Sequence, residues 1–227
     1  MTPSERSIPT LKDKQMPRRL LQYALGLFVM ALGVVLLKRA DLGISPISAV
    51  PAALADISRF TLGNTTIALH IVCVLGQILI VRRITLKSIL TAFVGIPFGY
   101  IIDGIMLIIP PFSGLIMRTV MTVLALVISA FGIHAIVGAD LMLPAPDELS
   151  HTISQVYGWK LSNVKVASDA VYVIVTLAID LIFTRGIHTV GFGTILAVLI
   201  SGRCVGMFGK LFPGLVMKPF WNVPQKK

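Results

Sequence analysis

The chain has 227 residues, of which 56% are apolar and 13% are charged, and its mean hydropathy is +0.89. A water-soluble domain of this length could not bury so much apolar surface, because a large share of its residues would still face solvent. The composition therefore excludes a soluble or secreted enzyme and indicates a protein embedded in lipid.

Six apolar runs have the length of a membrane-spanning helix, whereas strands of a membrane barrel need only ~10 residues. The first run follows a basic segment, but it is longer than the apolar core of a signal peptide and has no small-residue cleavage site. We therefore expect six transmembrane helices, including a retained first one. The runs are residues 20–37, 64–81, 88–109, 116–137, 163–184 and 189–208.

The basic residues predict the orientation of these helices. The net charge is +10, and most Lys and Arg residues lie in connecting segments and tails, which favours a membrane protein over a nucleic-acid-binding one. With a cytoplasmic N-terminus, the cytoplasmic segments carry 13 Lys and Arg residues and the opposite side carries 5. The positive-inside rule therefore places both termini in the cytoplasm.

An internal repeat relates the two halves of the chain. A shift of 99 positions aligns residues 19–70 with 118–169 without a gap, and 11 of the 52 pairs are identical. About four identical pairs are expected by chance in so apolar a chain. The identical pairs include Arg19 with Arg118, Ala40 with Ala139 and Asp41 with Asp140.

Each copy of the repeat contains three predicted spans, so the second copy must enter the membrane in the opposite orientation. Many secondary transporters have this inverted arrangement, with the binding site between the halves; alternatively, the duplication only built a stable bundle. The predicted fold is an all-α membrane protein with six transmembrane helices in two inverted three-helix repeats. Its parts are a cytoplasmic tail (1–18), the first repeat (19–109), the second repeat (110–209) and a cytoplasmic C-terminal tail (210–227).

A segment interrupted by Pro and Gly follows the first span of each copy and predicts a short half-helix, over about 47–57 and 146–156. The N-terminal end of such a helix directs free N–H groups and a positive dipole end toward a cavity, which suits an anionic or carbonyl-bearing ligand. Ser45 and Ser48 could add hydroxyl donors there. The alternative is an interfacial connection with ordinary caps, and Asp147 with Glu148 could cap the second half-helix and repel anions.

Three segments carry a resemblance to a known family: 40–49 (ADLGISPISA), 95–103 (GIPFGYIID) and 143–149 (LPAPDEL). They resemble the YczE-type bacterial integral membrane proteins, which are grouped loosely with YitT-type proteins, and the likeness extends from about residue 19 to 209. The resemblance implies a multi-pass protein of the bacterial cytoplasmic membrane and almost no chemistry. One departure is Met142-Leu143-Pro144, where the first copy has Gly43-Ile44-Ser45.

Ionisable side chains inside a span are costly unless they are paired or face a cavity, which makes each one a candidate functional group. We expect Asp103 deep in the third span, where it could either pair with Arg203 or carry a proton. The repeat maps positions 66, 70 and 73 onto 165, 169 and 172, so two related helix faces should meet near the pseudo-two-fold axis.

Lys165 and Asp169, four residues apart, can pair across one helical turn; this pair is either structural or made and broken by a substrate. His70 is either a structural hydrogen-bond donor or a proton relay. The predicted substrate-binding residues are Ser45, Ser48, Asn64, Thr66, His70, Asp103, Asn163, Lys165 and Asp169.

Several chemistries leave no signal in the sequence. There is no Walker A motif, no GxSxG and no HExxH, and Cys73 and Cys204 are isolated in apolar runs. We therefore expect no enzyme, no cofactor and no metal.

The first functional hypothesis is a small-solute transporter of the alternating-access type. The alternatives are a substrate-binding membrane subunit energised by a partner ATPase, and a scaffold for a secretion or biosynthetic complex. The expected partners are the lipid bilayer, an unidentified small-molecule ligand, and a second copy or another membrane protein, with no nucleic acid.

Overall fold

The computed structural model describes residues 15–215, apart from the side chains of residues 200–203 and 206. Residues 1–14 and 216–227 of the predicted cytoplasmic tails lie outside this range. Eight helices make up the described chain, α7 being continued by a π-helical turn and α8 being followed by a single 3₁₀ turn at Pro213–Leu215. They are α1 (Met16–Ala40), α2 (Pro46–Ile57), α3 (Leu62–Val81), α4 (Leu86–Ile108), α5 (Leu115–Ala139), α6 (Ala145–Tyr157), α7 (Leu161–Ile179, continued over Asp180–Thr184) and α8 (Phe192–Leu211).

Five of these helices, α1, α3, α4, α5 and α7, are long and apolar enough to cross a membrane. Large apolar side chains cover much of the outer surface; Leu107 is 90% exposed and Ile116 is 83% exposed. Such a surface is stable in lipid and would aggregate in water, so the protein is membrane-embedded. The sixth predicted span coincides with α8, which has 20 residues.

The two predicted half-helices are present as α2 and α6, with 12 and 13 residues. They are too short to cross a membrane. Proline occupies the first turn of each, where its missing N–H costs nothing. The preceding helices, α1 and α5, end at Asp41 and Asp140, which both adopt the left-handed conformation with φ near 50°. A short side chain such as Asp tolerates this conformation better than most others.

The antiparallel helices α1 and α5 form the most extensive helix pair in the fold. Three glycines, Gly26, Gly33 and Gly132, allow their backbones to approach closely. A Cβ atom added at Gly132 would lie 2.6 Å from the amide nitrogen of Met30, and one at Gly26 would lie 3.1 Å from the carbonyl oxygen of Gly132. Small residues at a membrane helix interface allow the van der Waals contact that drives helix association in lipid.

Two repeat-related arginines close the ends of this helix pair. Arg19, only 1% exposed, donates through Nη1 to the carbonyl oxygen of Ala139 over 2.8 Å. Arg118 donates through Nε to the carbonyl oxygen of Ala40 over 2.6 Å and pairs with the Asp41 carboxylate at 2.8 Å. Each cation therefore lies at the first turn of one helix and at the negative dipole end of the other, where it is stabilising.

The half-helices pack across the molecule. Helix α2 lies against α7, and α6 lies against α3. The Gln77 side chain donates to the carbonyl oxygen of Ala145 over 3.1 Å and holds the first residue of α6 on α3. Each half-helix therefore packs on a long helix of the other half of the chain.

Candidate functional site

One contact joins the faces of α3 and α7 that the repeat relates. Cys73 Sγ lies 3.6 Å from the hydroxyl oxygen of Tyr172. These two residues are 99 positions apart in the sequence, so each contacts its own repeat counterpart. We call this contact, together with His70, Asp147, Lys165 and Asp169, the central cluster.

Lys165 lies between two carboxylates in the central cluster. Its Nζ atom is 2.6 Å from Asp147 Oδ1 and 3.4 Å from Asp169 Oδ1. The predicted pair four residues apart is present, but the nearer partner is Asp147 on α6. All three side chains are partly accessible, with 36% of the Lys165 side chain and about one fifth of each Asp side chain exposed, although Asp169 Oδ1 itself is buried. A solute could therefore reach Lys165 and its partner Asp147.

The position of Asp147 follows from the shape of the α5–α7 segment. The chain leaves α5 at Asp140, enters α6 at Ala145 and turns back into α7 after Gly158, whose φ is 72°. This turn brings the first turn of α6 beside α7, where Asp147 meets Lys165. The carboxylate also lies at the positive dipole end of α6, where a negative charge is stabilising.

His70 is satisfied within its own helix. It is 5% exposed, and its Nδ1 atom lies 2.9 Å from the carbonyl oxygen of Thr66. The imidazole packs against the Phe98 ring on α4, with centroids 5.7 Å apart. Gly95 makes room for it, since a Cβ there would lie 2.9 Å from His70 Cβ. Thr66 is also buried and donates its hydroxyl to the carbonyl oxygen of Leu62.

Asp103 lies elsewhere than predicted. It occupies the last turns of α4, where its carboxylate accepts hydrogen bonds from Thr61 Oγ1 at 2.6 Å and from the Gly63 N–H at 2.7 Å. The expectation of a deep position was wrong, because Asp103 lies level with the first turn of α3 and satisfies the free N–H of Gly63. The side chain of Arg203, the partner predicted for Asp103, lies outside the described part of the chain.

Three more predicted site residues have hydrogen-bond partners outside the central cluster. The backbone N–H of Asn64 donates to Thr61 Oγ1 at the start of α3, and nine residues of helix, about 14 Å, separate Asn64 from Cys73. Ser45 and Ser48 lie at the start of α2, where their hydroxyl groups are hydrogen-bonded to each other at 3.3 Å. The remaining predicted residue, Asn163, lines a pocket beside the cluster.

This pocket, of about 630 Å³, lies between α6 and α7. Most of its wall is apolar, and Tyr172 belongs both to the wall and to the central cluster. Ser168 adds a hydroxyl group, which accepts a hydrogen bond from Ser150 at 3.1 Å. The lining residues are Leu149, Ile153, Trp159, Lys160, Asn163, Val164, Ala167, Ser168, Val171 and Tyr172.

Two buried carboxylates were not singled out from the sequence as paired groups. Glu148, 5% exposed, pairs with Lys87 of α4 at 2.7 Å. Asp180, 1% exposed, accepts hydrogen bonds from the backbone N–H groups of His188 and Thr189 and holds the loop before α8. Lys87 is distant from Glu148 in the sequence, and His188 and Thr189 follow Asp180 by 8 and 9 residues across a loop, so no helical spacing signals either contact. No group of three or more possible metal-ligating side chains occurs within the described residues.

Residues 17–210 match DUF6198, a family of unknown function, and the chain belongs to this family. No curated protein and no solved structure matches the chain. The resemblance to YczE-type proteins stays a prediction, since the family match does not test it.

Proposed function

We propose that the protein is a small-solute transporter of the bacterial cytoplasmic membrane, with six spans arranged as two inverted three-helix repeats and both termini in the cytoplasm. The observation that carries the proposal is the contact of Cys73 with Tyr172, its repeat counterpart, beside an accessible Lys165 ion pair and an open pocket. A binding site between inverted repeats is the usual arrangement in secondary transporters.

The helix bounds and contacts support the repeat. The first residues of α1 and α5, of α2 and α6, and of α3 and α7 are each 99 positions apart. The packing is also paired: α2 with α7 corresponds to α6 with α3, and α1 with α4 corresponds to α5 with α8. Six spans require α8 to cross the membrane, and its 20 residues are sufficient.

The Lys165 ion pair is the element that a solute would change. Two carboxylates share one ammonium group, so a solute with a donor or a cation can take over one carboxylate while Lys165 keeps the other. The adjoining pocket has room for the rest of a small solute and is mostly apolar, as ligand pockets usually are. The start of α2 offers a second contact, because no acidic residue occupies its first turn and its positive dipole end is available to an anionic group.

The first experiment is a thermal-shift screen of metabolites on the purified protein, since a ligand that binds the native state raises its stability with the logarithm of its concentration. Uptake of each hit into proteoliposomes then tests transport. Binding without uptake by the protein alone would favour a subunit that needs an ATPase partner.

Variants of the central cluster test the site itself. Asp169→Asn and His70→Ala should lower uptake while the protein still inserts. Asp56→Asn is the matched control, because Asp56 pairs with Lys38 on the surface and its side chain is 43% exposed. Equal uptake by all three variants, or a screen without any hit, would leave the scaffold as the better hypothesis.

A further inference from the structure

The two halves of the molecule differ in one helix contact. In the first half, α4 lies closely against α3: Cβ atoms added at Gly95 and Gly99 would meet His70 and Ile67 at 2.9 Å or less. In the second half, the corresponding helices α7 and α8 have almost no direct contact within the described residues. As a result Val166 of α7 is 68% exposed, whereas its repeat counterpart Ile67 is partly buried against α4.

The other main contacts are matched between the halves, so this difference is local. Helices α1 and α4 pack as α5 and α8 do, and α2 packs on α3 as α6 packs on α7. Helix α8 is held away from α7 at its start: the Gly193 N–H donates to the carbonyl oxygen of Leu42 at 2.7 Å, and the Ile44 N–H donates to that of Thr189 at 3.3 Å. Two backbone hydrogen bonds, each contributing little net stability, are a modest barrier to movement.

We propose that α4 and α8 alternate: when α8 closes on α7, α4 opens from α3, and the second half then has the packing that the first half has in this structure. The inference rests on the proposed function, since it says how a transporter would expose its site to each side in turn. Two related three-helix units in different conformations form the bistable element that such a switch needs.

The exchange would change which member of the central cluster is covered. His70 and Asp169 are repeat counterparts, and His70 is now buried under Gly95 and Phe98 of α4. The Asp169 side chain is 22% exposed, and no corresponding contact from α8 is described over it. After the exchange, α8 would cover Asp169, and His70 would face the opening between α3 and α4. Helix α8 carries Gly193 and Ala197 at the spacing of Gly95 and Gly99.

Distances between spin labels on exposed residues test the alternation. One pair, Asn64→Cys with Tyr100→Cys, reports on α3 and α4. The counterpart pair, Asn163→Cys with Val198→Cys, reports on α7 and α8. All four native residues are exposed, and Cys204 is replaced by serine while Cys73 stays buried. In liposomes each pair should show a short and a long distance, which differ by about one helix diameter, ~10 Å.

The two pairs should be complementary: the fraction with a long α3–α4 distance should equal the fraction with a short α7–α8 distance. Gly99→Ala, which places a methyl group against Ile67 and the Gly63 carbonyl, should increase both fractions. Gly104→Ala is the control, because nothing lies within 4 Å of its Cβ position. A third label pair, Leu21→Cys with Val137→Cys on α1 and α5, should keep one distance throughout.

Independent populations in the two pairs of the unsubstituted protein would overturn the alternation, and so would a Gly99→Ala change confined to α3 and α4. Because the distances are read without any solute, the result is separate from the transport assay. Complementary distances without uptake would contradict the proposed function alone, and uptake with a single fixed distance in each pair would contradict the alternation alone.

Discussion

The buried guanidinium of Arg19 should be one of the stronger single supports of the α1–α5 pair. Replacement by methionine keeps much of the apolar stem but removes the hydrogen bond to the Ala139 carbonyl, which lies at the end of α5 away from water. A hydrogen bond from a charged group contributes about 1.5–3 kcal/mol. We therefore expect Arg19→Met to lower the free energy of unfolding by about 2 kcal/mol.

Two other arginines calibrate this expectation. Arg118→Met removes the repeat-related contact, but its side chain is 29% exposed, so water can replace part of the lost bond and the cost should be about 1 kcal/mol. Arg18→Met removes an exposed hydrogen bond to the Gly214 carbonyl at 3.3 Å and should cost less than about 0.5 kcal/mol.

Thermal unfolding in detergent ranks the stabilities of the three variants. A loss of 2 kcal/mol in a chain of this size lowers the melting temperature by about 4–8 °C, which is well resolved from the effect expected for Arg18→Met. Equal melting temperatures for Arg19→Met and Arg18→Met would refute the reasoning, because they would show that the α5 terminus does not need the buried cation.

Three further predictions use other parts of the structure. A cysteine at Ser113 should react with an impermeant reagent added outside the cell and one at Gln225 should not, and the opposite labelling would reverse the proposed orientation. Gly63→Ala should cost about 1–3 kcal/mol of stability through overlap with the Asp103 carboxylate, whereas Gly104→Ala should be neutral; calorimetry compares the two. Ser48→Ala should weaken ligand binding by about 1 kcal/mol, and Ser48→Asp should weaken an anionic ligand more than a cationic one; unchanged titration curves for both variants would place the site away from α2.

The helices could be predicted from the sequence because their signals are local. Predicted half-helices at 47–57 and 146–156 correspond to α2 at 46–57 and α6 at 145–157, since proline and glycine mark where one helix stops and the next begins. The repeat related Cys73 to Tyr172, and these two residues are in contact; the inverted arrangement of the halves stays a prediction.

Side-chain partners were harder to predict, because most of them are distant in the chain. The spacing of Lys165 and Asp169 predicted their pair, but the nearer partner, Asp147, lies on another helix. We expected Asp103 to lie deep in the third span. Its hydrogen-bond donors, Thr61 and Gly63, are instead 40 or more residues away in the sequence. The repeat showed that Arg19 and Arg118 are counterparts. That each one binds the C-terminal end of the other helix could be seen only once α1 and α5 were known to be neighbours.

The crossed packing of the half-helices affects how the chain can be assembled during synthesis. Helix α2 is complete at residue 57, but α7, on which it packs, begins at residue 161. At ~5–20 residues per second the ribosome needs about 5–20 s to make the segment between them. During that time the side of α2 that packs on α7 in the finished protein must be covered by lipid or by the insertion machinery. A chain that stops before α7 should therefore be recognised as incomplete and degraded, even though its first helices are already in the membrane.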